Sequence, residues 1–236
     1  MIKPIHSAEM PAATPPSQPP IPPLENGDHL DQRTFHERYE AMPEGTRAEL
    51  IGGIVYIMAS PLKRPHGRHH FRLSHWLGTY EDETPGVEAY DNATTILGEE
   101  SEPQPDNSLL IVRGGQTHDE DDYIVGPPEF LGEIASSSEA IDLHAKKTDY
   151  ERAGVREYLV VLLRQKRVLW FALHDERFEE MKPGPDGILR SRVFPGLWLD
   201  PVAFLEGNGK RLREVLALGI ASQEHAAFVA KLTERE

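Results

Sequence analysis

Apolar positions along the chain fall into helical and strand spacings that can be read in order. Residues 31–40 (DQRTFHERYE) read as a short amphipathic helix, stopped by Pro43 and Gly45. Ala48-Glu-Leu-Ile and Ile54-Val-Tyr-Ile-Met flank Gly52-Gly53; paired glycines accept positive φ, so two strands joined by a tight hairpin are predicted. Beyond Ser60-Pro61, Phe71, Leu73, Trp76, Leu77 and Tyr80 stand mostly three and four residues apart. That spacing predicts a helix over about 67–80 with one face on a sheet and basic residues on the other. Shorter apolar runs predict strand material in 86–97, a strand over 108–112 and another over 129–135. Residues 142–153 read as a helix ended by Gly154. The runs 157–163 and 168–173, separated by Arg164-Gln-Lys-Arg167, follow as a hairpin. A late hairpin is predicted across 176–193 around Pro183-Gly-Pro-Asp-Gly187. One amphipathic helix carrying Leu212, Val215, Leu216, Phe228, Val229 and Leu232 closes the chain, its stripe serving a core or a dimer contact. Helices interleaved with strands, and hairpins near both ends, indicate a single α/β domain built on a mixed sheet flanked by helices.

Composition refines this picture. Prolines crowd the start of the chain (PAATPPSQPPIPP) and favour extended backbone with little to bury, so residues 1–28 are expected to form a disordered arm. The main domain is then expected over 29–205, with a C-terminal helical extension over 206–236. No run approaches the roughly 20 consecutive apolar residues of a membrane helix, and the N-terminal residues lack a secretory layout, so a cytoplasmic protein is expected. There is no cysteine, which leaves carboxylate, imidazole, carbonyl or water to hold any metal. The net charge of −14 argues against nonspecific coating of nucleic acid. One local segment runs the other way: residues 61–80 hold Lys63, Arg64, Arg68, Arg72 and four histidines without an acid.

Two carboxylates stand out by position. Asp106 follows Pro105 and precedes an apolar strand, while Glu133 interrupts the apolar Phe130-Leu-Gly-Glu-Ile-Ala135. A carboxylate within a buried strand is unfavourable unless something pairs with it, and a divalent cation between neighbouring strands would do so. On spacing alone the plainer arrangement, an ion-paired Glu133 and an Asp106 that caps a turn, is the commoner one.

The order of motifs adds to this reading. Ala48-Glu-Leu-Ile-Gly-Gly-Ile-Val-Tyr-Ile-Met-Ala-Ser-Pro, Gln104-Pro-Asp106, Glu133-Ile-Ala-Ser-Ser-Ser, Lys146…Tyr150-Glu-Arg-Ala-Gly-Val-Arg-Glu-Tyr158 and Phe194-Pro-Gly-Leu-Trp-Leu-Asp200 occur in that succession. Over roughly residues 30–205 the chain resembles the bacterial restriction-endonuclease-like family known as domain of unknown function 820, within the PD-(D/E)XK nucleases. The resemblance implies a restriction endonuclease-like core hydrolysing DNA with Mg²⁺ or Mn²⁺. Asp106 and Glu133 would hold the metal, and Glu49 would assist. The lysine usual two residues after the Glu is replaced by Ala135. The resemblance draws it from the following helix, selecting Lys146 with Lys147 as alternate, to stabilise charge at the reacting phosphate. It also picks His66 to face the site, and Gln104 is placed to orient a water or a ligand carboxylate. With Arg68 on the cationic segment, His66 and Gln104 form the expected substrate-binding set.

Other readings of these features are weaker. His66, His69 and His70 beside Arg68 and Arg72 fit a solvated or phosphate-facing surface better than a zinc site. Ser136-Ser-Ser138 lacks the nucleophile elbow of hydrolases, so its serines read as helix caps. Asp119 to Asp122 lacks calcium-loop spacing and reads as a solvated tip. The alternative of another class is a catalytically silent nucleic-acid or protein-binding module that keeps the fold. A further one is hydrolysis of a small phosphorylated molecule.

Overall fold

β8 (Phe130–Ala135) and β9 (Glu157–Leu162) are buried at every position, as largely apolar runs in the middle of a sheet should be, and they bury Glu133 and Glu157 with them. They lie parallel, Glu133 opposite Val160, at the centre of a six-stranded mixed sheet. In the computed structural model, which describes residues 21–58 and 63–234, the elements before them are α1 (Gln32–Glu40), β1 (Ala48–Ile51), β2 (Ile54–Ile57), α2 (Arg64–Asp82), β3 (Val87–Asp91), β4 (Thr95–Ile96), β5 (Asn107–Ile111), β6 (His118–Glu120) and β7 (Tyr123–Val125). A π-helical turn (Ile141–Lys146) runs into α3 (Lys147–Ala153) ahead of β9. After it come β10 (Arg167–His174), β11 (Arg177–Glu180), β12 (Leu189–Arg190), β13 (Trp198–Leu199), α4 (Pro201–Glu206), α5 (Gly209–Ile220) and α6 (Gln223–Thr233). The large sheet runs β11-β10-β9-β8-β5-β3, every pair antiparallel except β8 with β9. The first twenty residues, where most of the expected arm falls, and the Ser60-Pro61 turn lie outside the described residues.

Helices cover both faces of the sheet. On one, Leu73, Trp76, Leu77 and Tyr80 of α2 pack with Phe130, Ile134, Leu159, Val161 and Trp170. Gly132 makes this close approach possible: a Cβ there would stand 3.0 Å from Leu73 Cδ2, so the bare backbone lets α2 lie directly on β8. On the other face Tyr150 of α3 packs with Leu131, Ala135, Tyr158, Val160 and Leu162. The β1-β2 hairpin is a separate two-stranded sheet closed over by α1, with Leu50, Val55 and Phe35 in a small core. It is docked by the paired hydrogen bonds between the backbones of Leu50 and Glu102, at 3.1 and 2.8 Å. Leu24, placed by composition within the disordered arm, is instead buried in that small core, and Gly27 N–H donates to Val55 O at 2.8 Å.

Several expectations differ from the structure, each for a local reason. Residues 86–97 are two strands in two sheets, because Asn92 turns the chain with φ 53°. The acidic segment is an exposed β6-β7 hairpin whose turn residues, Asp121 and Asp122, both take positive φ, a role for which Asp is suited. In place of the late hairpin, β11 folds back on β10 through Asp175 and Glu176, both at positive φ, and β12 pairs with β13. The single closing helix, expected to carry Leu212 to Leu232, is two, α5 and α6, with the short α4 ahead of them. Gly207, at φ 81°, and the Asn208 cap separate α4 from α5, and Ser222 Oγ accepts from His225 N to begin α6. Leu212, Leu216 and Leu232 join the main core, so the stripe is satisfied within the chain. Among the described residues no helix is long and apolar enough to cross a membrane.

Glu157, the first residue of β9, is wholly buried and ties the 191–193 loop to the sheet. Its carboxylate accepts from Arg192 N at 2.6 Å, Val193 N at 3.2 Å and Ser191 Oγ at 2.8 Å. Burial nevertheless pushes its pKa from 4.5 up to about 7. Between those values the folded protein holds a proton that the unfolded chain releases, so stability present below the lower pKa is lost as pH rises through the higher one. Glu157→Gln removes this group. From about pH 5 to about pH 8, wild type should lose on the order of 1–3 kcal/mol more than the variant in urea unfolding. Parallel pH profiles for the two proteins would refute this.

Candidate active site

The strand pairing itself brings the two singled-out carboxylates together. β5 follows Asp106 directly and lies antiparallel to β8, with Asn107 opposite Gly132. Asp106, one residue before that register, therefore sits beside Glu133, and its Oδ2 accepts from Ile134 N at 2.7 Å. Glu49 arrives from β1 and is held by Gln104 N, which donates to its Oε1 at 2.8 Å.

Lys146 joins these elements. Its Nζ donates to Glu49 Oε1 at 2.9 Å and to Glu133 Oε1 at 2.8 Å, and all three side chains are buried. Tyr150 O–H also donates to Glu133 Oε1, at 3.0 Å. The local reason is spacing. Ser138, Asp142, Lys146 and Tyr150 are four residues apart, and the π-helical turn running into α3 turns them the same way. Ser138 Oγ donates to Asp142 Oδ2 at 2.6 Å instead of capping the helix. Lys147, the alternate lysine, is one residue further round and places its Nζ 4.6 Å from the centre of the Phe171 ring. Ala135 shares the face of β8 that carries Glu133, two residues on, and offers only a methyl group where a strand lysine would stand.

Glu49, His66, Gln104, Asp106, Glu133 and Lys146 thus line one cavity of about 200 Å³. Arg68 does not. Two residues from His66 is about 200° of helical turn, and Arg68 faces a second cavity between α2 and α5. His66 Nε2 stands 3.4 Å from Asp106 Oδ2. His70, one turn on, has its Nε2 3.0 Å from the main-chain oxygen of Asp106 and 2.7 Å from Asp91 Oδ1, so it steadies the backbone that carries Asp106. Asp142 and Arg47 are not singled out by the sequence; Tyr150 stands in the quoted motif and His70 in the histidine cluster, neither assigned a contact with these carboxylates. Arg47 lines the cavity and donates to Gln104 Oε1 at 3.1 Å. The four-residue spacing from Ser138 to Tyr150 was the available signal for Asp142 and Tyr150.

Charge in the cavity is unbalanced. Burial pushes Glu133 upward, with Lys146 opposing, and pushes Asp142 up to about 6. Asp106 is also desolvated, but the hydrogen bond from His66, the neighbouring imidazoles and the Ile134 amide outweigh burial and bring it below the usual carboxylate range. Burial alone would lower Lys146; Glu133, Glu49 and Asp142 overcome it and hold the ammonium well above its ordinary range. Four carboxylates therefore share the cavity with two permanent cations, Lys146 and Arg47. Glu49 Oε2 and His66 Nδ1 are buried without a hydrogen-bond partner among the described residues. No group of three or more His, Asp or Glu side chains there is arranged to hold an ion. Mg²⁺ asks for less: one or two carboxylates, with several waters retained. Asp106 and Glu133 fit that donor set.

The family model described as "Uma2: Putative restriction endonuclease" matches residues 35–202. The chain belongs to that family. The Uma2 match contains Glu49, Asp106, Glu133 and Lys146. A crystal structure of "a putative nuclease belonging to DUF820" from Anabaena variabilis ATCC 29413 is similar with TM-score 0.53 and 16% identity, covering 72% of this chain and 97% of that one. At that identity the likeness speaks to the fold alone, a mixed sheet flanked by helices. No curated protein matches the chain.

Lys146→Met should leave Glu49 and Glu133 buried without their cation. At about pH 8 the loss of stability should be roughly 3–5 kcal/mol. Part of it should return near pH 5.5, where protonating the carboxylates removes their mutual repulsion. Urea unfolding at the two pH values measures both effects, and a variant as stable as wild type at pH 8 would show that the buried pairing contributes nothing.

Proposed function

We propose that this protein is a Mg²⁺- or Mn²⁺-dependent endonuclease that hydrolyses phosphodiester bonds in DNA at the Asp106–Glu133 cavity, acting in the cytoplasm. The observation that carries the reading is the buried Lys146 ammonium, delivered from a helix to two carboxylates beside Asp106 where the strand position holds Ala135.

Asp106 and Glu133 would hold the cation. When bound, it would polarise a phosphate and make a bound water more acidic. The chain's own groups do the remaining work. The Ile134 amide fixes one oxygen of Asp106, and Tyr150 and Lys146 fix one oxygen of Glu133, so each carboxylate is oriented before substrate arrives. Three carboxylates keep Lys146 protonated, so it serves as fixed positive charge facing the phosphate as negative charge builds there, and not as a base. Glu49 anchors that ammonium through Oε1 and keeps Oε2 for a water or substrate hydroxyl. His66 borders Asp106 and is placed to meet a phosphate oxygen.

One observation favours a second reading. Glu133 Oε1 already receives both Lys146 and Tyr150, an arrangement that is also self-sufficient in a catalytically silent module binding nucleic acid or protein. The two readings part in a plasmid-cleavage assay titrated with Mg²⁺ and Mn²⁺. The enzyme should cleave only with added metal, and Asp106→Asn and Lys146→Met should each lower the rate by about 100-fold or more. Cleavage that persists in EDTA and in Asp106→Asn would sink the metal mechanism. A folded protein that binds DNA but never cuts it would establish the silent module. A mononucleotide phosphate ester cleaved in preference to DNA would redirect the substrate class.

A further inference from the structure

The face of α2 turned away from Asp106 carries a second concave site. Arg68 and Arg72 from α2 and Arg213 from α5 meet at a cavity of about 470 Å³ between the two helices. Among the described residues no carboxylate lines it, although the chain as a whole carries a net charge of −14. Arg72 donates to the main-chain oxygen of Phe204 at 3.3 Å and lies 5.9 Å from the centre of that ring, neither of which neutralises it. Burial, and the like charge of Arg68 beside it, lower its pKa. The floor is apolar, made by Trp76, Leu212 and Leu216, all buried. At its rim Phe71 is 76% exposed, its ring parallel to that of His75 within 7° at 6.4 Å.

An apolar hollow of this size, an exposed aromatic ring and guanidinium groups without a counter-charge together suit a ligand that is both aromatic and anionic. A nucleotide is such a ligand. In a duplex the bases are stacked and paired, and only phosphates would reach the rim; an unpaired base can enter, lie against Phe71 and reach the apolar floor. The position also fits. His66 and His70 face Asp106 from one side of α2, Arg68 lies about 200° round from His66, and a helix with its side chains is about 10–12 Å across. The first turn, residues 64–67, is largely exposed between them, so one strand can pass over it and contact both sides.

We propose that the groove between α2 and α5 holds an unpaired nucleotide of the nucleic-acid strand that the enzyme acts on, its base against Phe71 and its phosphates on Arg68, Arg72 and Arg213. The ligand's identity rests on the nuclease reading; the groove's chemistry does not. It follows that DNA with a single-stranded segment is bound in preference to blunt duplex.

The test is fluorescence anisotropy of the full chain in EDTA, with a labelled single strand of about 20 nucleotides and the blunt duplex of the same sequence. The variants are Phe71→Ala, which alters an exposed ring and leaves the core alone, and the triple Arg68→Gln, Arg72→Gln, Arg213→Gln. Phe71→Ala should weaken single-strand binding at least fivefold, by the loss of about 1–3 kcal/mol of stacking, and leave duplex binding unchanged. The triple variant should weaken it by about tenfold or more and flatten the slope of log K against log salt by about 2, at about 0.7 for each phosphate no longer neutralised. Wild-type binding by both variants overturns the proposal, and if the triple variant does not fold, Phe71→Ala decides alone. Equal loss for duplex in Phe71→Ala, loss confined to free mononucleotide, or a change in self-association by sedimentation without loss of strand binding would each overturn it as well. Metal-dependent plasmid cleavage by wild type is scored separately from strand binding in EDTA: absent cleavage with intact groove dependence fails the nuclease reading alone, and cleavage with both groove variants binding as wild type fails the groove alone.

Discussion

The buried ion pairs of Lys146 hold three separate pieces of the fold in one relation. Glu49 stands on a hairpin outside the large sheet, Glu133 on its central strand and Lys146 on a π-helical turn. Taking such charges out of water is unfavourable by several kcal/mol for each ion unless their partners and remaining hydrogen bonds are all supplied. Gln104 N and Tyr150 O–H supply two of them, at 2.8 and 3.0 Å. The backbone bonds between Leu50 and Glu102 dock the hairpin, but a hairpin so docked could still slide or tilt. The ammonium contact removes that freedom because a displaced lysine leaves two buried carboxylates unpaired.

The same constraint explains why the cavity carries more negative charge than its lysine balances. Lys146 is spent on Glu49 and Glu133, while Asp106 leans on the Ile134 amide and on His66, and Asp142 on Ser138. A site balanced completely by its own side chains would have nothing to offer a cation. This one is rigid at one oxygen of each carboxylate and leaves Glu49 Oε2 buried without a partner among the described residues. Preorganisation and residual charge are therefore produced by one arrangement: the amide and hydroxyl hydrogen bonds that orient the carboxylates do not neutralise them, and one ammonium shared by Glu49 and Glu133 cannot neutralise both.

How much of this was legible in the sequence depends on whether a feature is local. The Gly52-Gly53 hairpin, the largely apolar runs of β8 and β9 and the amphipathic α2 declare themselves through turn chemistry and periodicity, and each has a counterpart in the structure. Features that depend on a partner distant in sequence were harder. The break at Ser222 is an ordinary capping signal, but an apolar stripe that continues across it reads as one helix. Arg68 was grouped with His66 by proximity in sequence, although a helix sends residues two apart to nearly opposite sides. Tyr150 stood in the quoted motif, yet nothing local shows that its hydroxyl meets Glu133 across the interior. Lys146 over Lys147 was likewise chosen by resemblance, and the structure separates them by about 100° of helical turn.

Under the proposed reading, α2 is how an acidic protein would still engage a polyanion. Its basic residues are divided by helical phase: His66 and His70 attend Asp106 and its backbone, while Arg68 and Arg72 meet Arg213 over an apolar hollow. Net charge governs long-range attraction, which is screened beyond about 8–10 Å at physiological salt, so contacts at shorter range can be favourable on a surface that is repulsive overall. A chain of this charge gains little from a uniform coating of phosphate contacts and must recognise its substrate at a few defined points. In the proposed reading the two faces of α2 are such points, and because Gly132 seats that helix directly on β8, a strand held by its outer face would be registered against Asp106 beside its inner one.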